Sequence, residues 1–231
     1  MRLRALSAAA RSWFWTLRDR ARQVALGTAH TRRVFERIHD GNLWDDPESR
    51  SGRGSNRAAT DNVRRELPRL LRDLGVRRLL DAPCGDFEWM RHIATSVDVY
   101  VGVDIVPALI QRNSDLYGAP GISFLCADIT TDPLPAADLV LCRDCFFHLP
   151  TRLIRQSIQN FARTGARYLL VTNHPKVREY RDIAVGSFRP VNLERPPFGF
   201  PPPIARIAES GDEERQLSLW ELSTLCAIVP K

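Results

Sequence analysis

The sequence predicts an α/β protein with a mostly parallel sheet and a C-terminal antiparallel hairpin. Three observations predict it. Between Val76 and Thr172, short apolar runs alternate with helical stretches, the rhythm of strand–helix–strand units that lay helices on both faces of a sheet. Most of those runs close on an Asp or on a polar turn, as strands do when their carboxyl ends face a ligand. The last two apolar runs, Ile204–Ala208 and Leu217–Leu222, are joined by the acidic turn Gly211-Asp212-Glu213-Glu214. That link is too short for a parallel crossover, so they pair antiparallel at the sheet edge.

Each element has its own warrant. A helix starting near Thr60 carries Val63, Leu67, Leu70, Leu71 and Leu74 on one side and stops at Gly75, with Pro68 expected to kink or restart it. The first strand is Arg78–Ala82; a turn at Pro83-Cys84-Gly85 leads into an expected helix over Glu88–Ala94. Val99–Asp104 is the second strand, followed by a helix over Pro107–Leu116. The third and fourth strands are Ile122–Ala127 and Ala137–Arg143; a helix over Thr151–Arg163 then precedes the fifth, Tyr168–Thr172. After His174 the rhythm stops. Residues 175–203 hold seven prolines with Phe188, Phe198 and Phe200, which reads as an ordered cap. Residues 40–57, rich in Gly and Ser, read as a loop.

The chain of 231 residues is 44% hydrophobic and 26% charged, which suits one globular domain and excludes a disordered or collagen-like chain. Its net charge of +6 is unevenly spread: residues 1–39 hold nine Arg against Asp19 and Glu36, leaving the rest close to neutral. The basicity therefore belongs to an N-terminal helical arm, residues 1–39, ahead of a main domain at 40–231. In that arm Leu3, Leu6, Trp13, Leu17 and Val24 interleave with Arg. Such a pattern suits a helix packed on the domain, with a membrane-surface contact or a transit segment as alternatives. No apolar run approaches the roughly 20 residues that span a bilayer. Five cysteines (84, 126, 142, 145 and 226) at irregular spacing, with no secretory signal, predict a reducing cytoplasmic setting and no disulfide framework. The lone Cys142-Arg143-Asp144-Cys145 pattern lacks a second ligand pair, so no metal site is expected.

Ligands of an open α/β sheet bind beyond the strand ends, where this sequence places Asp81, Asp104 and Asp128. Gly85 lets backbone approach a ligand, and Asp104 suits a ribose diol, since a carboxylate accepts from both hydroxyls. A dinucleotide needs G-x-G-x-x-G and a nucleoside triphosphate a P-loop; neither is present. Asp86 would also oppose a pyrophosphate at the first turn. A nucleoside cofactor without phosphate fits better.

Five segments in order carry a more specific signal: Glu48–Ser55 (ESRSGRGS), Asp81–Met90 (DAPCGDFEWM), Val101–Ile110 (VGVDIVPALI), Leu141–Leu149 (LCRDCFFHL) and Arg189–Phe198 (RPVNLERPPF). Through them, the sequence resembles the class I S-adenosylmethionine-dependent methyltransferases, and within these a mainly bacterial subgroup with the same DAPCGDFxWM turn. The resemblance implies a Rossmann-like class I methyltransferase fold with a seven-stranded sheet and S-adenosyl-L-methionine as cofactor. It implies cofactor contacts from Asp81, Ala82, Pro83, Gly85 and Phe87 in the first turn. Asp104 and Ile105 would meet the ribose, Asp128 and Ile129 the adenine, and Arg143 the boundary between cofactor and substrate. The usual three-glycine turn is altered here, with Pro83 at its first position and Phe87 at its third.

The expected activity is methyl transfer to a small-molecule or glycan acceptor. His148 and Asp144 are the candidate bases, because either could take a proton from a hydroxyl. His174, Phe188, Asn192, Glu194 and Phe198 are the candidate acceptor pocket, and the 40–57 loop with Trp44 a candidate lid over the cofactor. His30, His39 and His92 read as surface or packing residues. Two rivals stand beside this reading: a catalytically silent cofactor-binding scaffold, and an RNA methyltransferase using the basic arm.

Overall fold

The computed structural model describes residues 27–209 and 212–229, with backbone alone at 212–214. The amphipathic run expected from Leu3 to Val24 lies outside the described residues. Helix α1 occupies residues 27–40 and therefore runs through the boundary that the sequence suggests at 39/40. Then follow α2 (Asp61–Asp73), β1 (Arg78–Asp81), β2 (Val99–Asp104), α3 (Pro107–Tyr117), β3 (Ile122–Cys126) and β4 (Leu139–Cys142). Helix α4 (Thr151–Ala162), β5 (Tyr168–Asn173), β6 (Ala205–Glu209), β7 (Asp212–Glu221) and α5 (Leu222–Ile228) complete the chain.

The strands form one seven-stranded sheet in the order β3-β2-β1-β4-β5-β7-β6. Strands β1 to β5 are parallel, while β7 inserts antiparallel between β5 and β6. The chain winds one way from β1 to β3 and then returns to add β4 on the other side of β1. The crevice of the fold therefore opens between the ends of β1 and β4.

Strand alternation divides the core in two. Leu80, Val140, Leu169 and Val171 point to the face covered by Leu153, Ile154, Ile158 and Phe161 of α4 and by α5. Leu79, Leu139, Leu141 and Leu170 point to the other, against Val63, Leu67 and Leu71 of α2. The spacing of those three α2 residues is the helical stripe expected from the sequence, and Pro68 sits inside a helix that continues without restarting.

Three local expectations change. The helix expected at Glu88–Ala94 is absent: turns and two short 3-10 segments, Met90–His92 and Ala94–Ser96, take its place. Phe87, held at a φ of 63°, is the cause. Its ring leaves the turn for an aromatic cluster with Tyr100, Tyr117 and Phe124 at 5.0–5.2 Å, and the chain follows it into the core. Second, Asp212–Glu214, expected as a turn, belong to β7. Third, α5 was not anticipated; its seven residues give too little periodicity to register.

Candidate active site

A cavity lies beyond the ends of β1, β2 and β4, and Asp81, Asp104 and Asp128 all line it. Pro83 and Gly85 of the first turn, Ile105, Ile129, Arg143, Asp144 and His148 line it as well. Of the expected cofactor residues, Ala82 and Phe87 do not. Ala82 is packed in the α4-side core, and Phe87 is in the aromatic cluster on the other face.

Asp81 ends β1 fully buried and accepts a hydrogen bond from the Tyr100 hydroxyl at 2.7 Å. Burial raises its pKa to about 7, against the opposing pulls of that hydrogen bond and of Arg143. Asp104, ending β2, accepts the Val106 N–H at 3.0 Å and the Gly85 N–H at 3.3 Å; burial pushes its carboxyl up from the usual range. Asp128 is fixed by Thr130, whose N–H and hydroxyl donate to one carboxylate oxygen at 2.9 and 2.6 Å. Each carboxylate is oriented by one or two donors and retains lone pairs for a ligand.

Gly85 shows why the turn needs glycine: its φ is 54°, and a Cβ there would stand 2.3 Å from the Ser51 hydroxyl. That contact is part of a seam. Ser51 Oγ accepts the Asp86 N–H at 2.9 Å, and Ser49 Oγ donates to Asp86 at 2.8 Å. Asp86, which the sequence sets against a pyrophosphate, therefore fastens the 44–55 segment to the first turn. Trp44, Ser51 and Ser55 of that segment line the cavity.

Arg143 leaves β4 into a buried charge cluster. Its guanidinium donates to both carboxylate oxygens of Glu209, at 3.2 and 2.5 Å, and to the Gly54 carbonyl at 2.6 Å. It lies 3.2 Å from Asp144 and stacks over Trp89 at 5.1 Å. Arg215 reaches Glu209 at 3.1 Å and Asp144 at 3.4 Å. Burial would raise the Asp144 carboxyl, but Arg143 and Arg215 together hold it below the usual range. That makes Asp144 a poor proton acceptor at neutral pH.

His148, in a short 3-10 helix Phe146–His148, is buried with Nδ1 2.9 Å from the Ser187 carbonyl. A carbonyl only accepts, so Nδ1 carries the proton and Nε2 keeps the lone pair in the neutral ring. Burial lowers its pKa, while the Ser187 carbonyl and Asp144 work against that, so the ring is neutral near pH 7. The Trp44 indole stacks on it at 4.9 Å, 22° from parallel.

The five expected acceptor residues do not line the cavity. Asn192 donates to the Pro175 and Val177 carbonyls and accepts the Glu194 N–H. Glu194 accepts from Asn173 at 3.1 Å, and His174 Nδ1 accepts the Val191 N–H at 3.2 Å. Phe198 is core, packed on Tyr180 and Phe200, and Phe188 is 58% exposed beside Phe147. The Pro- and Phe-rich segment packs its apolar side chains with α4 and α5, and its buried polar groups are hydrogen-bonded within it, to β5 and to the turn after β4. Arg189, 2% exposed, pins it by donating to the Phe146 and Leu149 carbonyls at 3.0 and 2.7 Å.

The sequence reading missed Thr31, Phe35 and His39, which line the cavity from α1. Their spacing of four puts them in one helical stripe, and that signal was available. It missed Glu209 too, although a carboxylate facing inward on an alternating strand is a signal of the same kind. Among the described residues no cluster of His, Cys, Asp and Glu is disposed to hold a metal ion, and Cys142 and Cys145 are buried free thiols.

A seven-stranded sheet with an antiparallel β7 and an acid-lined cavity at its switch point belongs to the open α/β folds that bind ligands at strand ends. Comparison with known proteins narrows it. Residues 79–166 match the family described as methyltransferase domain. The methyltransferase domain of the bacterial CtHen1 superposes with a TM-score of 0.53 at 15% identity, over 71% of this chain and 99% of that one. Magnesium protoporphyrin IX methyltransferase from Synechocystis PCC 6803, with bound SAH, gives 0.49 at 18% identity over 64% and 73% of the two chains. N-methyltransferase NodS from Bradyrhizobium japonicum WM9 gives 0.46 at 17% over 70% and 98%. The fold likeness rests on the first of these. No curated protein matches the chain. The fold is the class I methyltransferase fold, and residues 79–166 are similar to the methyltransferase domain family.

Proposed function

We propose that the protein is an S-adenosylmethionine-dependent methyltransferase acting on a small-molecule hydroxyl. The observation that carries the cofactor assignment is the set of three buried carboxylates, Asp81, Asp104 and Asp128, around one cavity; of its two arginines, Arg143 is neutralised by Glu209 and Asp144, and Arg50 is exposed to solvent. A cavity of that polarity favours a ligand with cationic groups and hydroxyls and disfavours phosphates. S-adenosylmethionine carries an ammonium, a sulfonium and a ribose diol, and the structures of magnesium protoporphyrin IX methyltransferase hold it or its demethylated product.

The donor set fits the group. Asp104 would accept from the ribose hydroxyls, Asp81 would face the ammonium, and Asp128 with Ile129 would meet the adenine. When bound, S-adenosylmethionine supplies a methyl group already activated on sulfur. What this chain adds is position and dryness: α1 and the 44–55 segment roof the cavity, and the Ser49–Asp86 and Ser51–Asp86 bonds hold that roof down.

A hydroxyl acceptor must shed a proton, and His148 Nε2 is the base for it. Burial keeps that ring neutral, and the Ser187 carbonyl fixes its tautomer. Asp144, tied to two guanidiniums, positions Arg143 instead. Asn192, which donates to the Pro175 and Val177 carbonyls, and Glu194, which accepts from Asn173, are both engaged within the fold and away from the cavity, which favours a small molecule over a glycan. The free thiols suit a reducing, cytoplasmic setting.

The test is calorimetric titration of S-adenosylmethionine and S-adenosylhomocysteine into wild type and Asp104→Ala. Saturable binding that the variant loses supports the reading. No binding to the wild type overturns it, and binding without turnover on any acceptor in a metabolite screen leaves a cofactor-binding scaffold.

A further inference from the structure

A second cavity opens behind the first, between the start of α2 and the turn carrying Trp89. Trp89 lines both, so one indole ring separates them. The roof segment separates them too: its Ser51 and Ser55 face the first cavity and its Glu48 the second, where Arg57, just past the roof, joins it. Arg64, Arg91, His92 and Glu88 also line the second cavity.

Its charges do not cancel. Glu88 is paired with Arg91 at 2.7 Å, and Glu48 accepts the Arg57 backbone N–H at 2.9 Å. The Arg57 guanidinium makes no hydrogen bond or ion pair with the described residues. Arg64, whose side chain is 19% exposed, donates to the Arg57 carbonyl at 3.0 Å and the Thr60 hydroxyl at 3.4 Å, and has one carboxylate near it, Asp61 at 3.4 Å, which is shared with Arg65 at 3.3 Å. Arg57 and Arg64 thus line one concave surface, the first without a carboxylate partner among the described residues and the second with one that it shares. The positive end of α2, a helix of 13 residues, adds to the same field. Guanidinium forks match tetrahedral and planar oxyanions.

We propose that this cavity binds a small ligand through an oxyanion, a phosphate monoester or a group of equivalent charge. A nucleic-acid strand fits less well, because Glu48 and Glu88 stand on the walls where successive phosphates would run. The site does not depend on the cofactor assignment. Its place on the roof segment means that an occupant braces the same loop that closes the first cavity.

Calorimetry on the full chain tests it, titrating inorganic phosphate and glycerol 3-phosphate against potassium chloride at matched ionic strength. Saturable binding of phosphate is expected, weakened at least tenfold in Arg57→Gln and unchanged in Arg72→Gln, an equal charge change on the exposed side of α2. Arg57→Gln should bind S-adenosylhomocysteine as the wild type does, which separates this site from the first and shows that the variant is folded. Inorganic phosphate binding as tightly as glycerol 3-phosphate identifies a free-anion site. Tighter organic phosphate identifies a phosphorylated metabolite as occupant. Heat indistinguishable from chloride, or equal weakening in both variants, overturns the proposal. So does displacement of phosphate by an oligonucleotide with a steep salt dependence.

Discussion

The strand tips around the candidate active site and the segment from His174 to Pro203 are both rich in buried polar groups, yet they use them oppositely. At the tips, Asp81, Asp104 and Asp128 are held by one or two donors each and face a cavity with lone pairs to spare. In and beside the later segment, Asn192 donates to carbonyls of its own segment, Asn173 of β5 accepts the Leu193 N–H, and Arg189 donates to the Phe146 carbonyl. Burial of an unsatisfied charge costs stability, so a fold tolerates it where a ligand repays it. Saturated polar groups instead mark a scaffold. Polar content alone does not distinguish the two; the remaining valence does.

The largest effect that would sharpen the contrast is on His148, the residue on which the two regions meet through Ser187. His148→Gln should lower methyl transfer by about 10²- to 10⁴-fold while leaving S-adenosylhomocysteine affinity unchanged. On the proposal that the neutral ring is the base, and with burial lowering its pKa, the rate should fall only as pH drops below the ordinary histidine range. An NMR titration of the ring tests this directly, and Trp44→Ala, which opens the ring to water, should move its midpoint upward.

Asp104→Ala comes next, with cofactor affinity reduced on the order of 10²-fold by the loss of charge-assisted hydrogen bonds. Asn192→Ala, by contrast, should leave that affinity within about twofold.

Asp81→Asn turns the comparison into a matter of sign. The folded carboxyl titrates near 7 and the unfolded one near 3.8, so the native state holds the extra proton between those values. Stability is therefore lost as pH rises through that window. The amide still accepts from Tyr100 without the buried charge, so the variant should melt higher than wild type at pH 8. That advantage, on the order of a few kcal/mol, should vanish by about pH 4. Affinity for S-adenosylmethionine should fall in the same variant. A variant less stable than wild type at pH 8 would mean that Asp81 is structural, like the groups of the later segment.

Smaller effects complete the series. Asn192→Ala should cost about 1–3 kcal/mol in chemical denaturation, the penalty of two orphaned carbonyls. Phe188→Ser, on an exposed ring, should change stability by no more than about 0.5 kcal/mol. If Phe188→Ser nonetheless raised KM for an acceptor, the outer edge of the segment would belong to the acceptor path.

Much of this was legible beforehand because the strands are short apolar runs closed by carboxylates. Val99–Asp104 could be read to the residue, and its terminal Asp104 with it. The first turn was less legible. Gly85 indicated a close approach, but nothing local said that Phe87 would carry the chain away from a helix, since that depends on Tyr100, Tyr117 and Phe124 arriving from β2, α3 and β3. That the expected acceptor residues lie off the cavity was illegible for a related reason. Phe198 looks the same to a pattern reader whether it faces a ligand or the core.

By itself, then, the sequence determined what local chemistry determines: the strand–helix rhythm, the acidic strand ends, the absence of a phosphate-binding turn and a neutral body behind a basic arm. Only the tertiary structure decided which polar groups were left with unused valence. That choice rests on partners distant in the chain, such as Glu209 on Arg143, Ser49 on Asp86 and Ser187 on His148. The physical reason is that an apolar pattern constrains each residue separately, whereas the satisfaction of a hydrogen bond or a charge belongs to a pair.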